Sequence, residues 1–167
     1  RSRFPLAGVR QKFIELAGEI NTIMPNYVIS KAEQAIDETL KKSLSDARIL
    51  LLGMAYKKNV NDIRQSPALD IMHRLVQRKV SPDYYDPHIP KIPSTREHKE
   101  WTGLESISWE EEHISQFDCV IIATAHDRVS FSDLAKWSDC IVDTRNAMSE
   151  ISTTPGQVIF FKFGFDL

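Results

Sequence analysis

Apolar and polar positions follow two different periods along this chain, and the change between them divides it in two. From Gln11 to Leu40 apolar residues recur at helical spacing, which predicts a broken helix of about 30 residues. Pro25 is expected to kink or end this helix, and residues 1–9 show no periodic pattern and are expected to be irregular. A long helix beside a small α/β unit is typical of an interdomain linker or a subunit interface. The alternative is an ordinary helix packed on its own sheet.

Beyond a polar break at residues 43–46, short apolar runs alternate with amphipathic segments. The apolar runs predict five strands, at residues 49–52, 81–85, 119–123, 140–142 and 158–161. The amphipathic segments predict three helices, at residues 67–79, 108–113 and 131–137. Such alternation is typical of an α/β fold, with a parallel sheet covered by helices on both faces. We therefore divide the chain into a helical segment, residues 1–46, and an α/β domain, residues 47–167.

The first helix of the predicted α/β domain has a clear start and a clear buried side. Ser66 is expected to cap its N-terminus, with Pro67 at the first helical position. Its buried stripe is expected to consist of Leu69, Ile71, Met72, Leu75 and Val76. The next helix is expected to open with a capping box between Ser108 and Glu111.

Composition and charge exclude several classes of protein. A net charge of −2 over 167 residues gives no support to nucleic-acid binding. No apolar run approaches the length of about 18 residues that a membrane span needs, and the first residues lack the apolar core of a secretory signal, so we expect a cytoplasmic protein. Cys119 and Cys140 fall in predicted buried strands without any metal-ligand spacing, which predicts two free core thiols and no metal site.

Cations are concentrated directly after the predicted strands. Lys57 and Lys58 follow the first strand, His126 follows the third and Arg145 follows the fourth, while Arg64 adds a further cation to the first loop. In open α/β sheets ligands bind at the carboxyl ends of the strands. These side chains therefore predict a site for an anionic small molecule, with phosphate esters as the obvious class.

These cations also have plainer interpretations. The two lysines can be solvated loop residues, Arg64 can pair locally with Asp62, and His126 is more simply a histidine at the rim of the sheet. Asp143 can orient Arg145 or cap a turn. Neither cysteine lies in a cationic loop, and His126 has no neighbouring nucleophile, so no catalytic residue is predicted.

Glycines do not support a complete dinucleotide site. Gly53 follows the first predicted strand, but the next glycine is Gly103. The chain therefore lacks the GxGxxG fingerprint, and side-chain cations would have to replace a cradle of backbone amides.

Several ordered motifs nevertheless resemble a known family. The motifs are Gly-Met-Ala-Tyr-Lys-Lys at 53–58, Asn-Asp-Ile-Arg-Gln-Ser-Pro-Ala at 61–68, Tyr-Asp-Pro at 85–87 and Ile-Val-Asp-Thr-Arg-Asn at 141–146. Together they resemble the C-terminal domain of the nucleotide-sugar 6-dehydrogenases, the family of UDP-glucose and GDP-mannose dehydrogenases. Residues 13–25 are similar to the central helical region of these enzymes, so the resemblance covers roughly residues 12–150. Residues 96–98 and the N-terminal part look closest to the bacterial UDP-N-acetylglucosamine and UDP-N-acetylmannosamine dehydrogenases.

The resemblance implies a Rossmann-like domain that binds a UDP-sugar. In this family an N-terminal domain binds NAD, a central helical region makes the homodimer, and the sugar C6 hydroxyl is oxidised twice through a catalytic cysteine. The product is a uronic acid for cell-surface polysaccharides. By motif, Tyr56, Lys57 and Arg145 would contact the UDP-sugar and Arg64 would reach toward the NAD cofactor. Cations at the sheet rim agree with a pyrophosphate ligand.

The chain also departs from the family pattern. It contains neither the NAD-binding domain nor the glycine-rich segment with the catalytic cysteine, and Lys12 stands where the family usually has arginine. The aromatic residues within 160–165 have no counterpart and are interpreted as a strand or a partner-binding tail. We therefore expect a truncated product that has no activity by itself.

Two other functions are alternatives to UDP-sugar binding. The first is a non-catalytic, helix-mediated dimerisation or assembly module without useful ligand affinity. The second is a receiver-like or flavodoxin-like signalling domain, which is disfavoured because the first predicted strand lacks an acidic cluster at its carboxyl end.

Overall fold

The computed structural model describes residues 6–95 and 98–161, with side chains from residue 23 onward. Expectations about residues 1–5, 96–97 and 162–167, and about the side chain of Lys12, lie outside this description. The elements in chain order are α1 (Leu6–Leu40), a 3₁₀ helix (Leu44–Asp46), β1 (Ile49–Leu52), α2 (Pro67–Gln77), β2 (Asp83–Tyr85), a second 3₁₀ helix (Lys99–Trp101), α3 (Glu111–Ile114), β3 (Cys119–Ile122), α4 (Phe131–Trp137), β4 (Ile141–Asp143) and β5 (Val158–Phe160).

The described strands form one parallel sheet in the order β2-β1-β3-β4-β5. Leu51 of β1 pairs with Tyr84 on one side and with Ile121 on the other. The chain moves from β1 to one neighbour, β2, and then returns to the opposite side of β1 to form β3. This reversal creates a crevice at the carboxyl ends of β1 and β3, where open α/β sheets bind ligands. The predicted α/β fold is confirmed.

Both faces of the sheet are covered, because alternate residues of each strand face opposite sides. Ile49 and Leu51 belong to a hydrophobic cluster with α1 and α2, whereas Leu50 and Leu52 belong to a second cluster with α3 and α4. All four side chains are fully buried, and each contributes roughly 1.5–3 kcal/mol of transfer free energy. A central parallel strand therefore requires four large aliphatic residues in succession.

Helix α1 continues through Pro25. The helix does not end at this proline, so that part of the expectation is wrong, and so is the expectation of irregular backbone at residues 6–9. Packing holds the second half of α1, because its buried residues between Val28 and Ile36 share a cluster with α2 and the sheet. The division of the chain at residue 46 stays a prediction. Within the described residues, no helix is both long and apolar enough to cross a membrane.

The starts of α2 and α3 differ in how well the sequence predicts them. Ser66 accepts a hydrogen bond from the Ala68 N–H at 3.2 Å, with Pro67 next in the helix, so the predicted cap is confirmed. Val76 is 41% exposed and was wrongly placed in the buried stripe, because it lies in the last turn at the edge of the packed side. The predicted capping box is also wrong. Helix α3 is preceded by Glu110, which makes no side-chain cap.

The two cysteines are buried and free, as predicted. They lie side by side, since Val120 pairs with Ile141 on neighbouring strands and each cysteine immediately precedes one of them. The hydrogen bond with Cys140, together with burial, raises the pKa of the Cys119 thiol well above its usual value. A buried thiol of this kind is not a nucleophile at neutral pH.

Candidate functional site

The carboxyl ends of β1, β3 and β4 surround a cleft of about 720 Å³, which we call the strand-end cleft. Its volume lies in the range typical of small-molecule sites. The residues lining it are Tyr56, Lys57, Lys58, Thr124, Ala125, Asp127, Phe131, Arg145 and Ala147. The structure therefore brings together the three residues predicted to contact a substrate, Tyr56, Lys57 and Arg145, although they come from loops after two different strands.

Arg145 is fixed at the sheet edge by its backbone and by one guanidinium nitrogen. Its Nε donates to the carbonyl oxygen of Ala123 at 2.6 Å. The buried carboxylate of Asp143 accepts from the backbone N–H groups of Arg145 and Met148, both at 2.8 Å. Asp143 thus orders the turn and holds the Arg145 backbone. Among the described side chains Arg145 forms no salt bridge, so its two terminal nitrogens remain available to an anion.

Gly53 lies where the end of β1 crosses close to the end of β3. Its φ is +86°, and a Cβ atom there would lie 2.2 Å from the carbonyl oxygen of Thr124. Its N–H donates to the Tyr85 carbonyl at 2.8 Å. This position therefore requires glycine for two reasons, a left-handed backbone and contact with a neighbouring chain segment. The space is already filled, so Gly53 offers no room for a phosphate.

A buried polar network lies beneath the loop that carries Tyr56 and Lys57. Asp86 directly follows β2 and is 2% exposed. One of its oxygens accepts from the N–H groups of Met54 and Ala55 at 2.7 and 3.0 Å, and from His126 Nε2 at 3.0 Å. Its other oxygen accepts from the N–H groups of His88 and Ile89. We call Asp86, Thr124 and His126 the anchor residues.

The other two anchor residues hold the same loop from β3. Thr124 donates its hydroxyl hydrogen to the Ala55 carbonyl at 2.7 Å. His126 is fully buried, and its Nδ1 accepts from the Asn59 N–H at 2.9 Å. Since Nδ1 is an acceptor, Nε2 carries the proton and donates it to Asp86. His126 does lie at the rim of the sheet, in the loop after β3, but it is fully buried and its carboxylate partner comes from a distant strand end.

Electrostatics favours the charged form of Asp86 despite its burial. Removal from water acts to raise its pKa, but the hydrogen bonds from His126 and from the His88 and Ala55 N–H groups outweigh it. The pKa of Asp86 is therefore below its usual value of 3.8. The carboxylate remains ionised while it holds five donors, which fixes the loop above it.

The lysines of the strand-end cleft differ in their partners. Lys58 Nζ lies 2.5 Å from an Asp127 oxygen, and the Asn59 amide donates to the same carboxylate at 2.6 Å. The hydrogen bond from Lys58, followed by that from Asn59, lowers the pKa of Asp127. Lys57 forms no salt bridge with any described residue, and its Nζ lies 5.2 Å from the centre of the Tyr56 ring. Lys57 and Arg145 are therefore the cations available to an anionic ligand.

Arg64 lies in a separate cleft of about 850 Å³, which we call the loop cleft. It is lined by Tyr56, Asn61, Asp62, Ile63, Arg64, Gln65, Leu69, Pro93, Ser94, Thr95 and His98. The Arg64 side chain is 84% exposed and pairs with Asp62 at 2.8 Å, which agrees with the local-pairing interpretation. The hydrogen bond from the Arg64 side chain lowers the pKa of Asp62 to about 2. Tyr56 lines both clefts.

The sequence analysis missed the anchor residues Asp86 and Thr124. The signal for Asp86 was present, because an aspartate directly after a short strand can accept hydrogen bonds from neighbouring strand ends. Asp86 appears in the Tyr-Asp-Pro motif of the resemblance, but no role is predicted for it there. Thr124 lies two residues beyond the end of β3, and nothing in the local sequence distinguishes its hydroxyl from that of another loop threonine.

A doubly covered parallel sheet, with two cations at its switch point that pair with no described carboxylate, is typical of an α/β domain that binds an anionic small molecule. Comparison with known proteins narrows this class. The model of the UDP binding domain of the UDP-glucose/GDP-mannose dehydrogenase family matches residues 50–150. The chain belongs to this family. The matched range includes Tyr56, Lys57, Arg64 and Arg145, and the resemblance found in the sequence is confirmed.

Relatives with known names are nucleotide-sugar dehydrogenases. The chain is 28% identical over 140 residues to an NDP-N-acetyl-D-galactosaminuronic acid dehydrogenase of Ralstonia solanacearum, covering 83% of this chain and 30% of the relative. It is 32% identical over 116 residues to a UDP-N-acetyl-D-mannosamine dehydrogenase of Methanococcus maripaludis, covering 70% of this chain and 24% of the relative. The chain thus spans less than a third of the length of these relatives.

Solved structures agree with these relatives. The UDP-N-acetylmannosamine dehydrogenase of Pyrococcus horikoshii superposes with a TM-score of 0.64 at 26% identity, over 96% of this chain and 34% of that one. The corresponding enzyme of Staphylococcus aureus gives a TM-score of 0.62 at 25% identity, over 92% of this chain and 33% of that one. The region that this chain shares with these two enzymes is therefore about a third of each of them.

Proposed function

We propose that this chain is the UDP-sugar-binding part of an NAD-dependent nucleotide-sugar 6-dehydrogenase. The observation that carries the proposal is the strand-end cleft, where Lys57 and Arg145 face one cavity without salt-bridge partners among the described residues. Both lie within the range matched by the family's UDP binding domain. None of the comparisons favours the alternative of an assembly module without ligand affinity.

The chemistry of the strand-end cleft suits a nucleoside diphosphate sugar. A guanidinium presents parallel N–H donors that match two phosphate oxygens, and Arg145 keeps both terminal nitrogens for this purpose. Lys57 adds a mobile point charge. The Tyr56 ring is 44% exposed and offers an apolar face to a sugar or a base. We assign substrate binding to Tyr56, Lys57 and Arg145.

The oxidation itself needs groups beyond those of this chain. Converting a C6 hydroxyl to a carboxylate transfers two hydrides, one to each of two NAD molecules, and takes the second carboxylate oxygen from water with release of protons. Gly53 is packed against Thr124, so the described residues form no glycine-lined cradle for a dinucleotide. Cys119 and Cys140 are buried, and neither can supply the thiolate. We assign Arg64 a contact on the cofactor side, with the NAD-binding domain and the catalytic cysteine elsewhere in the assembly.

A homodimer through α1 is the second part of the proposal. Ile23 is 62% exposed and Tyr27 is 40% exposed, although both are large apolar residues on the same helix. Tyr27 also contacts the Phe161 ring edge-on at 5.2 Å, so the end of the sheet borders this surface. A second copy of α1 would cover these side chains.

The first test is calorimetric titration of the chain with UDP, UDP-N-acetylglucosamine, UDP-N-acetylmannosamine and NAD. The UDP ligands are expected to bind, and Arg145→Ala is expected to weaken them about tenfold, or ~1.4 kcal/mol, because a paired donor to phosphate is lost. Arg64→Ala should change UDP affinity less than about twofold, since Arg64 lies in the other cleft.

Arg48→Ala is the matched control for Arg145→Ala. Arg48 is an exposed arginine directly before β1, at the opposite edge of the sheet. Its removal should leave affinity unchanged. Absence of heat with every UDP ligand at millimolar concentration would reject UDP-sugar binding by this chain and favour the assembly module.

A further inference from the structure

Three potential metal ligands meet on the surface beside α2. His73 lies on α2, while His98 and Glu100 lie at the second 3₁₀ helix, in the connection between β2 and α3. One ligand atom from each side chain lies within 4.8 Å of the other two. No ligand spacing was visible in the sequence, because the cluster forms only when the connection packs against α2.

The distances in this cluster are close to those of a metal site. Glu100 Oε1 lies 3.6 Å from His73 Nδ1 and 3.6 Å from His98 Nδ1. Both distances exceed a hydrogen bond. Ligand atoms bound at about 2.0–2.1 Å to a tetrahedral ion lie about 3.4 Å apart. The two distances from Glu100 to the histidines therefore need to shorten by only a few tenths of an ångström. Rotation of the exposed His73 side chain can shorten the remaining distance, between the two histidines.

The second nitrogen of each histidine faces a side chain that can fix its tautomer. His98 Nε2 lies 3.8 Å from an Asp70 oxygen, and His73 Nε2 lies 3.0 Å from the amide nitrogen of Gln77, which donates to it. Zinc binding through both Nδ1 atoms requires each Nε2–H to point outward, so the Gln77 amide must rotate to present its oxygen to His73, and the Asp70 carboxylate must approach His98. Metal-binding histidines are commonly oriented in this way.

The His98 ring supplies an independent observation. Its Nδ1 is buried and has no hydrogen-bond partner among the described residues. A buried polar nitrogen without a partner is costly in free energy. An ion bound between the three side chains would satisfy this nitrogen.

We propose that His73, His98 and Glu100 bind a Zn²⁺ ion, with the fourth position open to water. Two imidazole nitrogens and one carboxylate oxygen suit zinc, whereas Mg²⁺ and Ca²⁺ prefer oxygen ligands throughout. The ion would join the connection to α2. Because His98 also lines the loop cleft, zinc would stiffen one wall of that cleft.

The test is zinc binding by the full chain at neutral pH, measured by competition with a chromophoric zinc chelator. The wild-type chain is expected to bind one equivalent with micromolar or tighter affinity. His73→Gln and Glu100→Gln should each weaken binding by at least about tenfold, because each removes a ligand. Excess zinc should raise the melting temperature of the wild type but not of either variant.

His113→Gln is the matched control, because His113 is also an exposed histidine near a glutamate, Glu110, but lies on α3. It should bind zinc as the wild type does. Circular dichroism establishes that each variant is folded, and glutamine is a good helix former at position 73. The proposal is overturned if the wild type takes up no stoichiometric zinc at about 100 μM chain, which is about a hundredfold above a micromolar Kd. It is equally overturned if His73→Gln and Glu100→Gln bind as tightly as His113→Gln.

Discussion

The strand-end cleft and the loop cleft are similar in volume, at about 720 and 850 Å³, but are supported in different ways. The arginine of the first, Arg145, is tied through Nε to a carbonyl at the end of a buried strand. The arginine of the second, Arg64, is 84% exposed, and among the described residues its partner is Asp62, two residues away.

The two arginines differ in whether the group that positions the guanidinium also neutralises its charge. A guanidinium held by a carbonyl keeps its full charge for an anionic ligand. The Arg145 guanidinium is positioned by the Ala123 carbonyl, and the Asp143 carboxylate bonds the Arg145 backbone N–H and not its side chain. The guanidinium therefore has no carboxylate partner among the described residues. Arg64 is positioned by a carboxylate that also neutralises it. The two aspartates also differ. Asp86 is buried and holds a backbone loop, whereas Asp62 is exposed and holds one side chain.

The largest effect is expected from removing the buried aspartate. Asp86→Ala leaves four backbone N–H groups and His126 without their acceptor, and should lower the free energy of unfolding by about 4 kcal/mol. Asp62→Ala is the matched control and should leave the free energy of unfolding nearly unchanged, since exposed pairs contribute little. Urea denaturation of both variants measures the difference. Equal stability of the two would show that the anchor residues do not support the strand-end cleft.

Gly53→Ala is expected to have the next largest effect. The added methyl group would overlap the Thr124 carbonyl, and φ of +86° disfavours alanine, so the loss should be about 3 kcal/mol. Gly156→Ala separates the two causes, because Gly156 has φ of +83° but no atom within 4 Å of the new Cβ. That control should lose only about 1 kcal/mol. Similar losses at both glycines would mean that the contact with Thr124 costs nothing.

The smallest effect is expected on the pH dependence of stability in acid. The pKa of Asp86 is lowered by folding, so its contribution to stability is complete above its unfolded value near 3.8 and is lost as pH falls through the folded value. The pKa of Asp62 is lowered further, to about 2, but its exposure to solvent screens the interaction. Urea midpoints between about pH 6 and 3 should therefore depend less on pH in Asp86→Asn than in the wild type. Asp62→Asn should retain the wild-type slope, and the reverse result would contradict this assignment.

Much of the fold could be predicted from the sequence, because parallel strands buried on both faces leave a clear pattern. The run at 49–52 and the cap at Ser66 were both located from local residue types alone. Lys57 and Arg145 could also be brought to one edge, since the ends of parallel strands meet there. These predictions depend on neighbours in sequence and on one topological rule.

The features that were missed depend on contacts between distant segments. His126 lies in a polar stretch and looks exposed, and only its pairing with Asp86, 40 residues away, explains its burial. The cluster of His73, His98 and Glu100 has no spacing motif for the same reason. The persistence of α1 through Pro25 reflects packing of the helix, which outweighs the local preference of proline.

The Tyr56 side chain forms part of the wall of both clefts, so its rotation changes the shape of both. A ligand that immobilises the ring from one side removes the entropy cost that a ligand on the other side would otherwise meet. Thermodynamic reciprocity makes this assistance equal in both directions. If each cleft holds a ligand, the Tyr56 ring would couple the two binding equilibria, although the two ligands do not touch.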